Sequence, residues 1–158
     1  MKKLKFGVFS LTCDEGCSIS LLESLNKKFS ELEKFIDFKN FRLIKTSSQI
    51  EDLDVAFIEG AISSKKEEEL VKKIREKAKR VVLLGNCAIT GAPSNQRNLF
   101  SKELKEEIEP ILKKFEHLER VKSVREVIKA DDMIMGCPVS EEECIRKIEE
   151  ILSEENAY

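Results

Sequence analysis

Tryptophan is absent, tyrosine occurs once at Tyr158, histidine occurs once at His117, and proline and glycine number only three and six among 158 residues. A lone histidine leaves little scope for a Ser-His-Asp or Cys-His nucleophile, and the scarcity of Trp and Tyr leaves few rings to stack on a flavin. Charge of one sign is lacking too: 28 Lys and Arg oppose 30 Asp and Glu, for a net charge of −2. That balance offers no electrostatic footprint for nucleic acid or anionic lipid. No apolar run approaches the roughly 20 residues that span a bilayer. The first apolar stretch, Leu4 to Leu11, is interrupted by Lys5 and makes a poor signal peptide. Leu11-Thr12-Cys13 only faintly resembles a lipoprotein cleavage site, with Thr rather than Gly or Ala before the cysteine. These absences point to a cytoplasmic protein. A length of 158 residues fits one domain over 1–158 with room for a core.

Hydrophobic periodicity predicts alternating strands and helices. Leu4 to Leu11 reads as a buried strand entering a loop. Ile19, Leu22, Leu25, Phe29, Leu32 and Ile36 then recur at helical spacing and predict one long helix. Phe41 to Thr46 and Leu53 to Glu59 read as strands. Ser64-Lys65-Lys66-Glu67 is a capping box opening a helix to Ala78, with Leu70, Val71 and Ile74 inward. Val81 to Leu84 is a continuously apolar strand. Asn86 to Asn98 reads as a loop, and Ser101 to Phe115 as a helix that Pro110 should kink or break. Residues 118 to 130 carry no clear period. Met133 to Met135 approaches Gly136-Cys137-Pro138, and Ser140 with Glu143 opens a last helix that turns Ile145, Ile148, Ile151 and Leu152 inward. Strands without polar alternation are buried on both faces, so the fold class is α/β, a parallel sheet covered on both sides.

What the chain does have is five cysteines, and spaced thiols in a cytosolic protein more often bind metal than form disulfides. Cys13, Cys17, Cys87 and Cys137 each fall just past the carboxyl end of a predicted strand or at the start of the next helix. In an open parallel sheet that rim is the ligand crevice. Glu59 ends a strand at the same rim, and Gly16, Gly60, Gly85, Gly91 and Gly136 lie in the same loops. Four thiolates without clustered histidine suit a [4Fe–4S] cubane. A structural zinc is the rival, although zinc sites usually use two close cysteine pairs and only Cys13 and Cys17 are close here. An FMN module, with Ser10 to Ser18 as phosphate loop, leaves the cysteines unexplained, and a zinc-stabilised, non-redox partner-binding domain is a further alternative. Cys144 falls on the apolar face of the last helix and reads as core, while His117 reads as a solvated helix end.

Cys13-Asp14-Glu15-Gly16-Cys17-Ser18, Glu59-Gly60-Ala61-Ile62-Ser63, Leu84-Gly85-Asn86-Cys87-Ala88 and Met135-Gly136-Cys137-Pro138 occur in this order. Together they resemble the signatures of the [NiFe]-hydrogenase small subunit family, which includes the 20 kDa subunit of NADH:quinone oxidoreductase. By size the chain is similar to the short small subunits of soluble hydrogenases that feed NAD(P) or coenzyme F420. The resemblance implies a flavodoxin-like three-layer sandwich holding one proximal [4Fe–4S] cluster on Cys13, Cys17, Cys87 and Cys137. It implies a Ni-Fe large subunit and a diaphorase or other electron carrier as partners, and no catalysis by this chain alone. The expected role of the cluster is one-electron transfer. Backbone N–H groups of Gly16, Gly85, Asn86 and Gly136 are expected to point at the sulfurs, and Glu59 to orient loop amides or relay a proton. Two features depart from the family pattern. Three residues separate Cys13 from Cys17 where two or none are usual. With one extra residue Cys13 still reaches a cluster; otherwise Asp14 ligates, or the cluster is site-differentiated or absent. The residues given also contain no later Cys/His-rich region for medial and distal clusters.

Overall fold

The computed structural model describes residues 3–44 and 50–155. Along them run β1 (Leu4–Ser10), α1 (Gly16–Lys27), α2 (Phe29–Leu32), β2 (Ile36–Phe41), β3 (Leu53–Glu59) and β4 (Ile62–Ser64). Then follow α3 (Lys65–Lys77), β5 (Ala78–Leu84), α4 (Asn86–Thr90), α5 (Lys102–Lys114), β6 (His117–Lys122), β7 (Asp132–Ile134) and α6 (Glu141–Glu154). Five strands form a parallel sheet in the order β2-β1-β3-β5-β7, while β4 and β6 pair antiparallel beside it. The apolar strands have a period of two that separates two cores. Phe6, Val8, Val55, Phe57, Val82 and Leu84 meet Leu21 and Leu25 of α1 and Ile148, Ile151 and Leu152 of α6. On the other face Ala56, Ile58, Val81 and Leu83 meet Val71 and Ile74 of α3 and Ala88 and Ile89 of α4. The result is the three-layer α/β arrangement expected from strands with no polar face.

Local signals were strongest where they fit this layering. Ser64 Oγ accepts from the Glu67 amide at 3.2 Å and Glu67 returns the bond to the Ser64 amide at 3.0 Å, closing the capping box of α3. Ser140 accepts from the Glu143 amide at 3.2 Å and starts α6. Cys144 is fully buried in the core between α6 and the sheet.

The first helix is shorter than its apolar spacing suggested. α1 ends at Lys27, α2 is a four-residue turn, and Ile36 opens β2 because Leu4 and Phe6 of β1 pair with Ile36 and Phe38. Backbone pairing along a sheet edge outweighs a helical period that only side chains carried. The strand expected over Phe41 to Thr46 is therefore displaced: Phe41 is its last residue, Arg42 to Ile44 form a turn, and Lys45 and Thr46 lie outside the described residues. The expected loop 86–98 contains α4 and a 3-10 turn, Gln96–Leu99. Pro110 sits inside α5 without ending it. This helix buries none of its residues, so water can satisfy the carbonyl that proline leaves without a donor.

Candidate metal centre

The sheet order reverses between β1 and β3: from β1 the chain crosses outward to β2 and returns on the other side as β3. Carboxyl ends of strands at such a point leave a crevice between diverging loops. Leu11 and Thr12 leave β1 pinned to β3 and its turn, with the Leu11 amide on Glu59 O at 2.9 Å and Thr12 bridged to Ala61. Cys13 follows, half-buried, and the loop then turns through Glu15, a non-glycine residue with φ 63°, into α1. Cys17 lies buried in the first turn of that helix. From β5 the chain passes Gly85 into α4, which presents the half-buried Cys87. From β7 it passes Gly136 to the exposed Cys137.

Glu15, the residue at the N-cap of α1, gives that helix no side-chain cap. Glu59, 2% exposed at the end of β3, supplies one across the crevice. Its Oε1 accepts from the Cys17 amide at 2.9 Å, and its Oε2 accepts from the Ser18 amide at 3.0 Å and from the Ser18 hydroxyl. A carboxylate on the orphan amides of a helix N-terminus is favoured by both hydrogen bonding and the helix dipole. Burial nevertheless pushes the Glu59 carboxyl above its ordinary range, against the opposing pull of Ser18 and the two amides.

The loops after β5 and β7 are tied to each other. The Gly85 amide donates to Ile134 O at 2.8 Å, the Asn86 amide to Gly136 O at 2.9 Å, and the Gly136 amide to Asn86 Oδ1 at 3.0 Å. The Gly16 amide donates to Asp14 Oδ1 at 3.0 Å. Each of these four N–H groups donates to an oxygen of the loops around the crevice, and the bonds hold those loops in place. Gly85 has φ +84°, and a Cβ there would collide with Cys17 Sγ. Only glycine both adopts that backbone and leaves the sulfur its place.

Cys13, Cys17, Cys87 and Cys137 line one cavity of about 90 Å³, together with Glu59 and Asn86. Asp14 lines it too, although one of its oxygens is taken up by Gly16. Cys144 is not among the lining residues. Burial pushes the Cys13 thiol up to about 12 and the Cys17 thiol up to about 11, with the Glu59 charge adding to both. Such thiols are protonated near neutrality, and a bound cation is what stabilises them as thiolates. Ser94 Oγ lies 3.2 Å from Cys87 Sγ and donates to it. Among the described residues no three His, Cys, Asp or Glu side chains are grouped closely enough to hold one metal ion.

Residues 13–151 match the family described as NADH ubiquinone oxidoreductase, 20 Kd subunit. The chain belongs to this family, which takes in the small subunits of [NiFe]-hydrogenases. A subunit of the F420-non-reducing hydrogenase of Methanothermobacter thermautotrophicus is 34% identical over 153 residues, covering 87% of this chain and 49% of that one. The iron-sulfur subunit of the F420-non-reducing hydrogenase of Archaeoglobus profundus is 25% identical over 172 residues, covering 87% and 52%. The chain therefore spans about half the length of either relative. A chain of an NAD+-reducing [NiFe]-hydrogenase, solved in the H2-reduced state, superposes with a TM-score of 0.77 at 23% identity, over 89% of this chain and 86% of that one. At that identity the likeness is one of fold.

The part of this 20 kDa-type subunit that matches the family begins at Cys13 and takes in all four cavity cysteines. Sequence reasoning missed Ser18, whose hydroxyl bonds Glu59, and Ser94, seven residues beyond the cysteine it contacts. No spacing rule marks either. It also read Glu67 only as a helix cap, and His117 as a helix end. The histidine instead opens β6, with Nδ1 3.1 Å from Ser63 O.

Proposed function

We propose that this chain is the electron-transfer small subunit of a soluble, cytoplasmic [NiFe]-hydrogenase-type complex, holding one [4Fe–4S] cluster on Cys13, Cys17, Cys87 and Cys137. The observation that carries this reading is the convergence of four thiols from three strand ends on one cavity at the sheet's switch point. The donor set fits: the four cysteines that line the cavity offer sulfur alone, with no histidine among them, and a cubane takes each thiolate on a different iron. A cluster bound there supplies reversible one-electron transfer. Glu59 holds the Cys17 amide, Asn86 locks the loops that carry Cys87 and Cys137, and Gly85 leaves room for the Cys17 sulfur. Cys137 and the neighbouring Met135, 68% exposed, face outward, which makes this the side a Ni-Fe large subunit approaches. A diaphorase or other redox carrier completes the path. The chain by itself oxidises no hydrogen in this reading.

The test is anaerobic purification with metal, sulfide and flavin analysis, a visible spectrum, and EPR after dithionite reduction. About four irons and four sulfides per chain with a reduced-cubane signal are expected. A colourless protein with one zinc, or a yellow one with flavin, overturns the reading.

A further inference from the structure

Glu59 secures the cysteine loop at its helical end, through the amides of Cys17 and Ser18. The other end is held from a different quarter. Thr12, directly before Cys13, exchanges backbone bonds of 3.1 and 2.9 Å with Ala61. Its hydroxyl lies 2.6 Å from Ser63 Oγ and donates to Glu67 Oε1 at 2.9 Å, a contact 55 residues along the chain. The second oxygen of Glu67, Oε2, takes the Ser63 amide at 2.7 Å, the Ser64 amide at 3.0 Å, and the hydroxyls of Ser63 and Ser64 at 3.0 and 3.1 Å. A capping-box glutamate needs only its own N-cap amide; this one uses its free oxygen on the loop that carries a cavity cysteine. Ser63 is itself buried, and its carbonyl is held by Arg97 at 3.2 Å and by His117 Nδ1 at 3.1 Å. The anchor is therefore fixed to α3, β4 and β6 together.

We propose that Glu67 is a positioning residue for Cys13: through Thr12 it sets the direction in which the loop delivers the Cys13 sulfur, as Glu59 does for Cys17. The inference rests on the reading of Cys13 as a ligand. The three residues between Cys13 and Cys17 give the loop slack that a shorter spacing would not, and a thiol on a slack loop is placed only if both ends are restrained. The Cys13 sulfur's own contacts stay within its loop: it donates to Leu11 O at 3.5 Å and meets the backbone N–H of Glu15.

The experiment measures iodoacetamide alkylation of Cys13 in the full metal-free chain by mass spectrometry, with Cys87 in the same molecule as reference. Thr12→Val removes the hydroxyl while leaving the α3 cap intact, Thr12→Ser restores it, and Glu67→Ala removes the anchor. Cys13 is expected to react roughly three- to tenfold faster in Thr12→Val and Glu67→Ala, the change that follows when a hydrogen bond or two closing a segment are lost. Thr12→Ser and the Cys87 rates stay at the parent level. After loading with iron and sulfide, the same two variants lose the cluster to a chelator about tenfold faster, as changes in groups that support a ligand do. Unchanged Cys13 alkylation overturns the inference, whether or not the parent takes up a cluster. Faster alkylation in a parent series that never takes up iron upholds the positioning and overturns the proposed function instead.

Discussion

Gly85 and Cys17 come from different strand ends, yet the backbone of one lies against the sulfur of the other. A Cβ added at Gly85 would overlap Cys17 Sγ, and with φ at +84° Ala has no unstrained place there. Gly85→Ala is expected to cost about 2–4 kcal/mol, combining backbone strain with displacement of a buried side chain. It should also reduce iron uptake, and chemical denaturation beside iron analysis checks both. Nothing in Leu84-Gly85-Asn86-Cys87 announces this contact. The sequence marked Gly85 as a turn residue beside a thiol, but the thiol it accommodates lies 68 positions earlier. The same holds for Glu59: its place at a strand end was legible, whereas its three donors on Cys17 and Ser18 exist only once β3 stands beside α1.

Asp132 shows how elements are joined at the far end of the sheet. At the start of β7 it accepts from Arg80 Nε of β5 at 2.5 Å and from Lys147 Nζ of α6 at 3.0 Å. Burial raises its carboxyl, but the bonds from Arg80 and Lys147 outweigh that and leave it below its ordinary 3.8. A carboxylate lowered by folding adds stability above its unfolded value, and that stability is lost as pH falls through the lowered one. Asp132→Asn should therefore cost about 1–3 kcal/mol at neutral pH, less than a fully buried pair because Arg80 and Lys147 keep other partners. Its melting temperature should also fall less steeply than the parent's below about pH 4, which a calorimetric pH series reads directly. Elements with strong local signals, such as α3 with its capping box and the apolar β3 and β5, were legible in advance. β2, β4 and β6 were not. Their residues are half polar or few, and they are strands because of what they pair with: β2 with β1, and β4 with β6 across more than 50 residues.

At the scale of the whole molecule, both cores are built without the cavity loops except for Cys17, Ala88, Ile89 and Val139. The fold is thus expected to outlast its metal. Chelation of the loaded protein should leave far-UV circular dichroism and the cooperative melt in place, with a lower midpoint because ligand stabilises only the folded state. A domain that owed its fold to zinc would unfold under the same treatment. By itself the sequence determined the α/β class, the burial of the central strands and the placement of Cys13, Cys17, Cys87 and Cys137 at strand ends, because hydrophobic period and turn residues are written locally. The tertiary structure alone decided the strand order that makes a crevice of those ends, the carboxylate that caps α1 from another strand, and the glycine that makes room for a distant sulfur. These are contacts between segments far apart in the chain, and no local pattern encodes which distant segment will arrive.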